Sequence, residues 1–210
     1  MSKLFEGARK FLQQEYPKHQ ELFSELKNQQ DPHTLFITCS DSRIQPGLIT
    51  QTLPGELFVI RNVANIVPPY EASSEHPDTL AAIEYAVQVL DVDNIVVCGH
   101  SNCGGCRALY ASEDVLESLP QTRYWINWAR DAMLRNGPDD QNKMDPQNAR
   151  KVEQNNVKLQ MQHLLTHPFV RERHQKDTLR IYGWYYDIGQ GLIMNYNHKL
   201  ESFENIHELS

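Results

Sequence analysis

Three short apolar runs constrain this chain most: "HTLFITC" at 33–39, "ELFVIRNV" at 56–63 and "NIVVCGH" at 94–100. Each is short and rich in β-branched or aromatic residues, so each reads as a strand buried on both faces. Between the second and third lies "DTLAAIEYAVQVLD", residues 78–91. There Leu80, Ile83, Val87 and Leu90 mark one helical face and Asp78 is placed to N-cap it. Strand, helix, strand at that length is a βαβ unit, which implies parallel strands and a right-handed crossover. The fold class follows: α/β, with a central, mostly parallel sheet flanked by helices.

Helical spacing also runs through residues 3–28, where Leu4, Ala8, Phe11, Leu22, Phe23 and Leu26 recur and Pro17 divides the run in two. These helices are expected to form an arm over 1–29 that packs on a neighbouring subunit. Further helices are predicted at 106–112, 122–134 and 148–165, with a loop at 137–147. The segments at 179–188 and 191–198 alternate like a closing pair of strands, joined near Gly189 and Gly191. A chain of 210 residues with 40% hydrophobic side chains can bury roughly 70% of its unfolded surface in one core, so residues 1–210 are read as one domain.

Charge narrows the partners. A formal net charge of −7 and no Lys/Arg run argue against nucleic acid, whose binding depends on phosphate neutralisation. The N-terminus lacks the apolar core of a secretory signal, and no apolar run approaches the ~20 residues of a membrane span. Four cysteines, three of them at 98, 103 and 106, are unlike a secreted disulfide framework, which points to a cytoplasmic protein with reduced thiols. A small or neutral substrate fits these exclusions.

In open α/β sheets ligands bind where strands end at their carboxyl edge. Cys39, Asp41 and Arg43 sit at the end of the first run, and His100 and Cys103 at the end of the third. If those strands are neighbours, two thiolates and an imidazole converge. Zn²⁺ takes such ligands, and a catalytic site keeps a fourth position for water. Asp41, held by Arg43 in a charge-assisted pair, can accept a proton beside the ion. Rival readings of "VCGHSNCGGC" (97–106) are an iron–sulfur set using Cys98, Cys103, Cys106 and Cys39, a Cys103/Cys106 redox pair, and a structural zinc closed by Asp41. A nucleophile elbow fails because Cys103 stands where the last glycine is needed.

"CSDSR", "VIRNVAN", "AAIEYAV" and "CGHSNCGG", in that order and at these separations, resemble the β-class carbonic anhydrases over residues 30–197. "RNVANIVPPY" with Phe36 resembles the plant-like, constitutively open branch. The resemblance implies zinc on Cys39, His100 and Cys103, and Asp41 and Arg43 as a catalytic dyad. It also implies a substrate pocket of Gln30, Phe58, Val63, Tyr85 and the Gly104 amide. The implied activity is reversible hydration of CO₂ to bicarbonate and a proton, in a homodimer or higher homo-oligomer where Gln30 and Tyr85 face each other across the interface. CS₂ or COS hydrolysis on the same scaffold is the alternative activity. Arg61 and Tyr186 match a second bicarbonate site known in part of the family, whereas Phe36 replaces its Trp. Leu80 stands where many relatives have Gly.

Overall fold

The computed structural model describes residues 2–72, 77–134 and 145–208. It divides after Asp31 into two compact units. In the first, helices at Lys3–Lys10 and Gln20–Leu26 flank a tighter turn at Tyr16–His19 that carries Pro17. The rings of Phe11, Tyr16 and Phe23 cluster there, with Tyr16 stacked on Phe23 at 5.4 Å.

The second unit is built on a six-stranded sheet. Its strands are β1 (Thr34–Cys39), β2 (Leu57–Asn62), β3 (Asn94–His100), β4 (Arg180–Asp187), β5 (Leu192–Asn197) and β6 (Ser202–Asn205). They lie in the order β2-β1-β3-β4-β5-β6. The first four run parallel, while β5 and β6 return antiparallel. All six residues of β1 are buried, as expected of a strand covered on both faces. Leu35, Ile37, Ile95 and Val97 point into the larger core with Ile83, Val87, Val157 and Leu164, and Phe36, Val96 and Cys98 into a smaller one with Trp184.

A long helix, Pro146–Leu164, crosses the larger face. Asp145 caps it by accepting the N–H groups of Gln147 and Asn148, each at 2.9 Å. The loop expected at 137–147 therefore ends at Asp145, and its residues 137–144 lie outside the described residues. The helix comes close enough to β3 that a Cβ on Gly99 would sit 2.6 Å from Val157 Cγ2.

Several expectations need correction. The helix expected at 78–91 begins at Pro77, so Asp78 lies in its first turn rather than capping it. The helix expected at 122–134 is broken: Pro120–Ile126 ends in a tight turn at Asn127–Ala129 before Asp131–Leu134. The one expected at 106–112 shortens to Gly104–Ala108. Helices at Pro46–Thr50 and Pro168–Gln175, and strand β6, were not foreseen.

Candidate metal centre

Sheet order determines the site. β1 and β3 are adjacent and parallel, with Thr38 paired to Cys98, so Cys39 and His100 leave the sheet side by side at its carboxyl edge. The chain then turns through Asn102, whose φ of 56° is left-handed, and returns Cys103 to the same spot. The ligand atoms of Cys39, His100 and Cys103 all lie within 4.8 Å of one another, and all three residues are buried.

This group fits a tetrahedral metal. The two Sγ atoms are 3.9 Å apart, close to the ~3.8 Å edge of a tetrahedron with Zn–S bonds of about 2.3 Å. His100 Nδ1 donates to Ser101 O at 3.0 Å, which leaves Nε2 as the unprotonated nitrogen. That Nε2 is buried and has no hydrogen-bond partner among the described residues. A lone pair in that position calls for a ligand. The iron–sulfur reading loses support, because Cys98 lies in the smaller core beside Phe36 and stands outside the donor group.

Asp41 stands beside the donors, with Oδ2 3.9 Å from His100 Nε2. Arg43 grips its carboxylate at both oxygens, from Nε to Oδ1 at 2.9 Å and from Nη2 to Oδ2 at 2.7 Å, and the Arg43 amide adds a third bond at 3.0 Å. This bidentate hold keeps the Asp41 carboxyl well below the usual carboxylate range, against a smaller opposing effect of burial. Arg61 holds the strand end from the other side, donating to Cys39 O at 3.2 Å and Asp41 O at 2.7 Å. Its guanidinium is thus engaged with backbone carbonyls, and Phe36 is buried against Trp184.

The surroundings of Cys39 and Cys103 favour the protonated thiol. Cys39 is pushed up to about 12, first by its hydrogen bond with Cys103 and then by burial. Cys103 is raised as well, chiefly by hydrogen bonding with Cys106. Cys106 is itself a buried, packed residue of the Gly104–Ala108 helix.

The residues expected to line a substrate pocket are placed unevenly. Phe58 and Tyr85 pair, with ring centroids 6.0 Å apart. Val63 borders the metal turn: a Cβ on Gly105 would lie 2.8 Å from its Cγ1. Gly104 faces open space, whereas a side chain at Gly105 would crowd Val63 and Ala64. Gln30 belongs to the N-terminal unit.

Sequence reasoning missed the supports contributed by the long helix. Glu153 is 4% exposed, and it accepts the Cys103 amide at 2.9 Å and the Tyr185 hydroxyl at 2.7 Å. Asn156 donates to Ala64 O, and Gln160 accepts the Val67 amide, each at 2.8 Å. The available signal was positional: Glu153 and Gln160 fall on the same helical stripe as core-facing Val157 and Leu164.

The comparisons with known proteins agree with one another. A carbonic anhydrase family model matches residues 34–193. A carbonic anhydrase of Helicobacter pylori (strain J99) is 41% identical over 209 residues, covering 97% of this chain and 94% of that protein. Beta carbonic anhydrase 3 of Arabidopsis thaliana is 38% identical over 189 residues, covering 88% and 72% respectively. Among solved structures, the β-carbonic anhydrase CcaA superimposes with a TM-score of 0.89 at 36% identity, covering 97% of this chain and 90% of that one. A tetrameric β-carbonic anhydrase of the ascomycete Sordaria macrospora gives a TM-score of 0.77 at 30% identity, covering 91% and 94%.

Proposed function

The chain belongs to the carbonic anhydrase family, in its β class, and from that premise we propose that it catalyses the reversible hydration of CO₂ to bicarbonate and a proton. Cys39, His100 and Cys103 would hold Zn²⁺. Zinc there supplies Lewis acidity, which makes a water molecule nucleophilic near neutral pH. Two thiolates offset the ion's charge, so activity should rise through mildly alkaline pH.

The chain's own residues do the rest. Asp41 receives the nucleophile's proton in a hydrogen bond at Oδ2, the oxygen nearest His100 Nε2, and so aims an oxygen lone pair. Arg43 keeps Asp41 ionised and fixed. Phe58, Val63 and Tyr85 offer apolar surface suited to a small nonpolar gas, and the Gly104 amide is a donor for the anionic product. Gln30 completes the pocket from a second copy of the chain. Exposed Leu48, Val59, Tyr85 and Val89 support a homo-oligomer that covers them. Four free thiols fit a cytoplasmic setting. Among the described residues no helix is long and apolar enough to cross a membrane.

One observation carries this reading: a buried imidazole nitrogen with no hydrogen-bond partner among the described residues, within 4.8 Å of two thiols and 3.9 Å from a carboxylate that an arginine holds at both oxygens. Stopped-flow CO₂ hydration with metal analysis tests it. One zinc per chain with fast hydration is expected. Stoichiometric zinc with no hydration, or turnover of CS₂ alone, would overturn it.

A further inference from the structure

Among the described residues, a cavity of about 250 Å³ borders the turn that brings Cys103 back to His100, lined by Asn102, Cys103, Cys106, Tyr110, Val152 and Glu153 among others. Cys103 packs with Cys106 and Val152 on the core side, and hydrogen bonds fix its backbone. Ser101 N–H is tied to Tyr186 O of β4 at 3.0 Å, and Asn102 O accepts Arg43 Nη2 at 3.1 Å. Those bonds hold the turn from the sheet and from the dyad. From the helix side, the Cys103 amide is held by Glu153 Oε1 at 2.9 Å.

We propose that Glu153 is a positioning residue of the metal centre, its buried carboxylate setting where Cys103 Sγ stands relative to Cys39 and His100. The inference rests on the zinc reading above. Glu153 is suited to the task because its other oxygen is fixed in turn. Oε2 accepts the Tyr185 hydroxyl at 2.7 Å, and the Tyr185 ring lies under the Arg150 guanidinium at 5.4 Å. The carboxylate cannot swing into the cavity without breaking that bond. A hydrogen-bonded carboxylate behind a ligand-bearing turn is the outer-shell arrangement that orients metal ligands, and its loss typically weakens metal binding about 10- to 100-fold.

Reach, not charge, is what positioning requires, and two conservative variants separate them. Glu153→Asp keeps the charge but shortens the side chain by one CH₂, drawing the oxygen away from the Cys103 amide. Glu153→Gln keeps the reach and the Oε1 acceptor but loses the charge, and its NH₂ can donate to the Tyr185 hydroxyl where Oε2 had accepted from it. Zinc affinity is measured by chelator competition on the full chain, and the thiolate-to-metal absorption of the Co²⁺-loaded protein reports ligand geometry. Glu153→Asp should lose about 10-fold or more in affinity and shift the Co²⁺ spectrum, while Glu153→Gln should restore both to near wild type. If Glu153→Asp binds zinc like wild type with an unchanged spectrum, or if Glu153→Gln is equally damaged, the proposal falls. Wild-type protein that takes up no zinc in the same assay would instead sink the reading beneath it.

Discussion

Two adjacent glycines offer a sharp test of the packing around the metal turn. A Cβ added at Gly105 would lie 2.8 Å from Ala64 Cβ, 2.8 Å from Val63 Cγ1 and 3.2 Å from Ala64 N. Carbon atoms prefer about 3.5–4.0 Å, so a neighbour must retreat by roughly 1 Å. The 63–65 segment resists. Ala64 and Asn65 are both left-handed, at φ 63° and 47°. Asn62 clamps Ile66 N and O at 2.8 Å, Asn156 holds Ala64 O at 2.8 Å, and Trp125 holds Val63 O at 2.8 Å. Overpacking against such a segment costs about 1–3 kcal/mol. At about 2–4 °C per kcal/mol for a chain of this size, Gly105→Ala should melt roughly 2–12 °C below wild type. Gly104, one residue earlier and also helical, would meet nothing within 4 Å. Gly104→Ala should be neutral or raise stability by about 0.4–1 kcal/mol through lost freedom of the unfolded chain. Thermal unfolding followed by circular dichroism, at equal protein and zinc concentrations, reads both. Equal melting temperatures for the two variants would refute the reasoning.

Asp41→Asn should lower kcat/KM by about 100-fold or more while leaving the zinc content unchanged. Because Arg43 depresses the Asp41 carboxyl, Asp41 is ionised throughout pH 5–9, so the midpoint of an alkaline-rising rate profile should survive the substitution. A profile whose midpoint vanishes would contradict this. The sign for stability follows: the pair's contribution is present above the unfolded carboxylate's value of about 4 and is lost as pH falls through the depressed folded value. With the Arg43 side chain 45% exposed, that contribution should stay below about 1 kcal/mol in denaturant titrations at pH 7. Finally, the raised thiols of Cys39 and Cys103 mean that zinc uptake at pH 7 must expel about two protons, so affinity should climb about 100-fold per pH unit. Calorimetry in buffers of different ionisation enthalpy measures the count, and zero protons released would be incompatible with a dithiolate site.

Local chemistry made much of this protein readable in one dimension. The runs at 33–39 and 94–100 contain few residues that tolerate water, so they had to be buried strands, and the helical spacing between 80 and 90 made the runs at 56–63 and 94–100 parallel. Cysteine, histidine and a nearby Asp–Arg pair pointed to a group that could hold a metal ion, and the fold brings its three members together. Short elements were less legible. The Pro168–Gln175 helix starts with a proline at its first position, a usable signal, but its apolar face is too brief to show a period. β6 has only four residues, and they become a strand because β5 offers an open edge.

The sequence by itself determined the layers of the fold and the three donor residues, because burial and ligand chemistry are properties of the residues themselves. Tertiary structure alone decided that β1 and β3 are neighbours, which sets the thiols 3.9 Å apart. It also decided that Glu153, 50 residues beyond Cys103, takes up its amide. A buried polar group is intelligible only through its partner, and no local pattern names a partner so far along the chain.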